Sequence, residues 1–234
     1  SIEHLEHFAR KHLNQISHRA MAVLNPVKLI IDNYRDDNFE ILKATNNPED
    51  PASGERELYF GKELYIEQDD FMENPEKKFF RLSPGQEVRL MHAYYIKCTH
   101  VIKNKNNKII EIHCTYDPKT KGGWSKDGRK VKGTIHWVCA NKAINATINV
   151  YNKLFNSINP YHHEEGKTFI DNLNIESSEQ IKDVKLEPSL LNAIKNQNYQ
   201  FLRKGYFILD PNSSKNNLIF NQTVDLRDSW KKNK

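Results

Sequence analysis

The sequence predicts an all-β-dominated fold entered through a single helix, and three observations carry that prediction. Short runs rich in β-branched and aromatic residues recur from Val27 to Leu226, separated by clusters of Gly, Pro, Asn and Asp. Only residues 2–16, IEHLEHFARKHLNQI, place apolar side chains at steps of three and four. Helices and strands nowhere alternate, which excludes a doubly wound nucleotide fold.

Within the helix, Ile2, Leu5, Phe8 or Ala9, His12 or Leu13, and Ile16 form the expected packing stripe. Pro26 stops its continuation, and VKLIIDNY over 27–34 reads as the first strand. Further strands are expected over 57–67, 78–82, 87–101, 109–116, 130–138 and 147–155. Turns are expected at Ser83-Pro84-Gly85, over 104–108, at Lys121-Gly122-Gly123 and at Asp127-Gly128. A polar stretch follows over 156–165, then a single helical turn over 169–173 and a helix start at Ser189. Strands over 199–210 and 218–226 flank the turn beginning at Asp210-Pro211, and the lysine-rich end is expected to fray. No internal repeat is apparent.

A chain of 234 residues has room for one large β domain or two small ones. A net charge of +5 permits an anionic partner without demanding one. No apolar run is long enough for a membrane helix, and the first residues lack the order of a signal peptide, so a soluble cytoplasmic protein is expected. Cys98, Cys114 and Cys139 are too few and too scattered for a disulfide framework or a thiolate zinc site, and read as buried free thiols. The glycosylation-type triplets at Asn145, Asn212 and Asn221 have no consequence without a secretory route.

Familiar catalytic patterns are missing. Gly122-Gly123 is followed by Trp124-Ser125-Lys126 rather than the lysine and hydroxyl of a phosphate loop, and there is no nucleophile elbow. His162-His163-Glu164-Glu165 has neighbouring side chains that diverge, so it reads as a solvated loop, and no metal or catalytic residue is assigned. Strand alternation sets Ile135 and Trp137 on one face and Thr134 and His136 on the other.

What remains is a set of isolated arginines in apolar or aromatic settings: Arg19 before Ala20-Met21, Arg81 after Phe79-Phe80, Arg89 between Val88 and Leu90, and Arg203 after Phe201-Leu202. Pairing with carboxylates would account for them structurally. The same mixture suits unpaired nucleobases, because guanidinium forks bond base edges while flat groups stack on base faces. A barrel that docks a protein partner is the alternative class, and a metal hydrolase built on His162 and His163 is the weakest.

Longer stretches point to one of these. RAMAVLNPVK (19–28), ELYIE (63–67), DFME (70–73), KKFFRL (77–82), GQEVRL (85–90), CTYD (114–117), GRKVKGTIHWV (128–138), YNKLF (151–155), FNQTV (220–224) and LRDSW (226–230) resemble the C-terminal anticodon-binding region of the glutaminyl-tRNA synthetase family. The resemblance implies two antiparallel β-barrels: residues 1–18 end a helical connector, 19–155 form a first barrel region and 156–234 a second, with room for strand exchange. It implies tRNA(Gln), chiefly its anticodon loop, as partner, together with the chain's own N-terminal catalytic domain, and a monomeric state. ATP with Mg would serve that catalytic domain, whose HIGH-like and KMSKS-like signatures are not found here, so this region would hold no cofactor and perform no aminoacylation itself.

By the same resemblance Asn14, Arg19, Lys78, Arg81, Arg89, Gln200 and Arg203 fall on tRNA-contacting positions. Arg19 and Gln200 would address the central uracil, Arg81 the third anticodon base and Arg89 the first. Phe80, Lys78 and Met91 depart from residues that relatives carry, which bears on the phosphate and first-base contacts. In a regular strand Gln200 and Arg203 point to opposite faces, so sharing a ligand requires a bulge or twist near Gly205; otherwise one of them is structural.

Overall fold

The computed structural model describes residues 2–35, 38–162 and 164–226. Helix α1 (Ile2–Ile16) is followed by strands β1 (His18–Ala20), β2 (Ala22–Val23), β3 (Pro26–Ile31), β4 (Glu40–Thr45), β5 (Glu55–Phe60), β6 (Glu63–Glu67), β7 (Glu87–Leu90) and β8 (Tyr95–Lys103). The rest are β9 (Ile109–Asp117), β10 (Thr134–Ile135), β11 (Val138–Cys139), β12 (Ile144–Tyr151), β13 (Ser178–Leu186), β14 (Asn198–Phe201), β15 (Gly205–Leu209) and β16 (Leu218–Asp225). No helix among the described residues is long and apolar enough to cross a membrane.

Two seven-stranded sheets, ordered β10-β7-β8-β9-β3-β6-β11 and β1-β14-β15-β16-β12-β13-β2, form two barrel-like bodies, and β4-β5 is a separate ribbon. In each sheet the two edge strands are consecutive in the chain. β1 pairs in parallel with β14, Met21 intervenes, and β2 pairs antiparallel with β13. β10 pairs in parallel with β7, His136 and Trp137 intervene, and β11 pairs antiparallel with β6. One kinked segment thus occupies both edges of each sheet and leaves neither free to pair with another chain. Strands are exchanged in sequence as well: β1 and β2 precede the first sheet yet close the second, and β12 pairs there with β13 and β16.

Alternation along the first closing segment serves both interiors. Met21 and Val23 enter the first core with Leu29, Phe60, Ile112 and Trp137, while Ala20 and Ala22 enter the second with Ile148, Phe201, Phe207 and Phe220. Two buried carboxylates receive the backbone N–H groups that the crossing segment cannot place in a ladder. Glu187 accepts from Met21 N at 2.7 Å and from Arg56 Nε at 2.5 Å. Glu67 accepts from Leu24 N at 2.8 Å and from Asn25 N at 3.1 Å. Cys98, Cys114 and Cys139 are buried and free, as their scatter implied.

Several sequence expectations are corrected. Residues 78–82 are a loop, because Lys78 adopts φ 73° and only Leu82 makes a bridge, to Phe71. The run 87–101 folds back as the hairpin β7–β8 around His92 at φ 62°. The run 199–210 is the hairpin β14–β15, turned at Arg203 with φ 67° and closed by Lys204 N donating to Phe201 O at 2.8 Å. The run 57–67 is likewise divided into β5 and β6, and 130–138 contributes only the short β10 and β11. The turn after Glu187 begins at Pro188, not Ser189. β13 was not expected, since its solvent-facing half is charged and polar. Helix α1 spans the expected residues, but it buries Arg10 and Leu13 rather than the Ile2, Leu5, Phe8 stripe, which stays exposed. The LRDSW stretch lies outside the described residues except for Leu226.

Replacing Glu187 by Ala should destabilise the chain by about 3 kcal/mol, because it strands the buried Arg56 guanidinium and the Met21 amide. Urea denaturation measures this, and adding Arg56→Met to that variant should restore part of the loss.

Candidate nucleic-acid interface

Three neighbouring strands set one polar row. Register pairs Arg19 of β1 with Gln200 of β14, and Gln200 with Tyr206 of β15. Tyr199 and Phe201, on either side of Gln200, turn into the second core, so alternation sends Gln200 to the opposite face. Helix α1 lies over that face through Leu13, which packs on Tyr206 and Val224, and this docking brings in Asn14.

The four polar side chains form a network. Arg19 donates through Nη2 to Asn14 Oδ1 at 2.9 Å and through Nη1 to Ser17 O at 2.7 Å. Gln200 Nε2 donates to the Tyr206 hydroxyl at 3.2 Å, and that hydroxyl reaches Asn14 Oδ1 at 3.5 Å. Arg19 is only 6% exposed, yet no carboxylate among the described residues lies within ion-pair distance of it. Burial lowers the pKa of its guanidinium, which stays charged at neutral pH. Burial pushes the Tyr206 phenol up, so it remains a protonated donor. Gln200 Oε1 and the Asn14 amide nitrogen have no partner among the described residues, and both remain available to a ligand.

The turn of the same hairpin projects into a cleft of about 370 Å³ between the two barrels, lined by Glu67, Asp70, Arg81, His136, Arg203 and Lys204 among others. Arg203 forms a bidentate pair with the buried Asp70, both contacts 2.6 Å, and donates to His136 Nδ1 at 3.1 Å. Arg203 therefore holds the barrels together and keeps fewer donors for a ligand, consistent with the structural alternative for one of the pair Gln200 and Arg203. Gly205 pairs regularly with Phe201, and the left-handed turn at Arg203 sends its side chain to the cleft, apart from Gln200. Since an arginine only donates, His136 Nδ1 is an acceptor and its Nε2 carries the proton, 3.3 Å from Glu67 Oε1. Arg81 is 41% exposed at the cleft mouth, 3.4 Å from Asp70 Oδ1, with Nη1 donating to Asp69 O at 2.9 Å.

Arg89 lies on β7 beside β10. Its Nε donates to Thr134 Oγ1 at 3.0 Å, and its guanidinium sits 5.6 Å from the ring centroid of Trp124, a side chain 75% exposed. Gly123 makes this possible, since a Cβ there would stand 2.5 Å from Arg89 Cδ. Gly133 similarly lets the 78–81 loop lie along β10, for a Cβ would fall 2.1 Å from Phe80 O. Lys132, just before Gly133, sets its Nζ 4.9 Å from the centroid of the half-exposed Phe80 ring of that loop, and Lys78 is exposed. Contacts thus run from Trp124 and Arg89 through Thr134, Gly133 and Phe80 to Arg81 and the cleft, and the β14–β15 hairpin continues them to Gln200 and Arg19. His162 lies apart on an exposed loop, and His163 is outside the described residues.

The sequence matches a known family. Two models of the anticodon-binding domain of class I tRNA synthetases for glutamate and glutamine match residues 17–117 and 134–210. The chain belongs to that family. It is 47% identical over 228 residues to a glutamine–tRNA ligase of Bradyrhizobium diazoefficiens, covering 97% of this chain and 40% of the relative. It is 50% identical over 228 residues to one from Clostridium perfringens, covering 97% of this chain and 41% of that relative. The chain thus spans about two fifths of the length of these ligases.

Three residues that shape this part of the anticodon-binding domain escaped sequence reasoning. Tyr206 carries a signal in hindsight, being the cross-strand partner of Gln200, but only after the hairpin turn is known. Asp70 sits in a family-like stretch with nothing to mark its arginine partners, which lie 11 and 133 positions away. Trp124 follows the Gly122-Gly123 pair, and nothing in its local sequence marks it as the neighbour of Arg89.

Glu67 gives the cleft a pH signature. Burial pushes its carboxyl up, but the adjacent His136 ring, Lys204 and the Leu24 amide outweigh that and lower it from 4.5 to about 2. A depressed carboxyl contributes its full stability above the unfolded value and loses it as pH falls toward the folded one. The parent should therefore exceed Glu67→Gln by about 3 kcal/mol at neutral pH, with the gap closing between about pH 4.5 and 2, as read by denaturant midpoints across that range.

Proposed function

We propose that this chain is the anticodon-reading part of a cytoplasmic, monomeric glutamine–tRNA ligase, with tRNA(Gln) as its partner. ATP, Mg and the joining of glutamine to tRNA belong, on this reading, to a catalytic domain elsewhere in the full protein. The observation that carries the reading is the buried Arg19 guanidinium, which faces Asn14 and Gln200 without a carboxylate. A structural arginine at 6% exposure is ordinarily paired; an unpaired one is set for an incoming acceptor.

The groups left free at this point have the pattern of one base. Uracil offers acceptor, donor, acceptor along its Watson–Crick edge through O4, N3–H and O2. Arg19 and the Asn14 amide nitrogen supply donors, and Gln200 Oε1 supplies an acceptor for N3–H. Cytosine would set an amino group where O4 stood and an acceptor at N3, so like groups would meet and buried ones stay unpaired. Arg81 and Arg89 serve the third and first anticodon bases as half-buried guanidinium groups along the same strip, and Lys78 serves a phosphate. Phe80 and Trp124, each beside a cation, supply flat faces for unstacked bases.

Filter binding of anticodon stem-loops that differ only at the central base tests the reading. Arg19→Ala should weaken the cognate loop by about 1–3 kcal/mol and level the preference for uracil. An equal loss for every loop would remove Arg19 from base reading. Trp124→Ala should weaken all loops by about 1–3 kcal/mol while leaving their order intact, measured in the same assay.

A further inference from the structure

We propose that Asp32, His100 and His113 form a surface site for a divalent transition metal ion on the outer face of the first barrel. Nothing in the anticodon reading uses these residues. The chain spacing conceals them, but three neighbouring strands bring them together. β3 runs parallel to β9 with Ile30 beside His113, and Asp32, just past the end of β3, donates its backbone N–H to Cys114 O at 2.8 Å. β8 pairs antiparallel with β9, and a bulge at Thr99 shifts the register between Cys98–Cys114 and His100–His113. That one-residue shift places the two histidines directly opposite each other. Ile112 and Cys114 flank His113 in the barrel core, so the imidazole faces outward.

The side chains are gathered within reach of one ion, which they bind once the stacked rings turn, because a metal lies in the plane of each imidazole that holds it. The two imidazoles stack with centroids 4.3 Å apart and planes 14° from parallel, and His113 Nδ1 lies 2.7 Å from Asp32 Oδ1. One potential ligand atom from each residue lies within 4.8 Å of the others. The Thr99 hydroxyl donates to His113 O at 3.1 Å, so it accepts from His100 Nδ1 at 3.1 Å and leaves the Nε2 lone pair free. His113 Nε2 is buried without a hydrogen-bond partner, with Glu111 Oε2 3.6 Å away. Tetrahedral zinc needs ligands roughly 3.4 Å apart, a closure of up to about 1.4 Å that the exposed Asp32 and His100 side chains reach by χ rotation. Two imidazoles with one carboxylate favour zinc, nickel or copper over magnesium or calcium, which take oxygen ligands. Three protein ligands on an open face leave the remaining position to water.

Isothermal titration of the chelator-stripped full chain with ZnCl2, repeated with NiCl2, tests the proposal. A one-to-one site is expected, weakened at least about tenfold by either His100→Ala or His113→Ala, and zinc should raise the Tm of the parent but of neither variant. Helix α1 and the loop at His162 also carry imidazoles, so the double variant His100→Ala/His113→Ala is decisive. Parent-like binding by it would locate the ion elsewhere and overturn the proposal, as would a parent that shows no saturable binding. His100→Gln, isosteric and on the exposed side, keeps the test valid should an alanine variant fail to fold.

Discussion

Barrel closure by kinked segments is the constraint on which the rest of this structure depends. A sheet end offers unpaired amides and carbonyls, and each of the two sheets here covers both of its ends with one short stretch of chain, 18–23 or 134–139. Such a stretch must turn between its two pairings, and the residues at the turn lose ladder partners. Glu187 meets that need at Met21, and Glu67 meets it just beyond, at Leu24 and Asn25. Because alternate residues of 20–23 fill different cores, the two interiors share one closing segment.

The interface proposed for nucleic acid grows from the same two stretches. The first places Arg19 at the start of its parallel pairing, beside Gln200. The second places Thr134 against Arg89 and turns His136 into the cleft at its kink. Rigid closing elements are a sound mount for base-reading groups, because discrimination between bases depends on donors and acceptors that do not move to accommodate the wrong edge.

Two kinds of arginine result. Arg203 is neutralised by Asp70, and together they act as a strut across the cleft. Arg19 is buried with its hydrogen bonds made to neutral oxygens, a costly state that an acceptor-rich ligand would relieve. Sequence gives the two residues the same appearance, an arginine next to apolar neighbours, and only the position of Asp70 distinguishes them.

The chain alone determined its β character, the extent of the opening helix, the buried free cysteines and the two faces of 134–137, because periodicity and burial are local properties of a strand or helix. Family-like stretches further named Asn14, Arg19 and Gln200, which the fold gathers into one network. Left to the tertiary structure were the hairpin at Arg203, the packing face of α1, the split closing strands, and which guanidinium meets a carboxylate. Each of these depends on groups far apart in sequence. Hydrophobic pattern fixes which side of a strand is buried, but only the assembled barrels fix what stands opposite it.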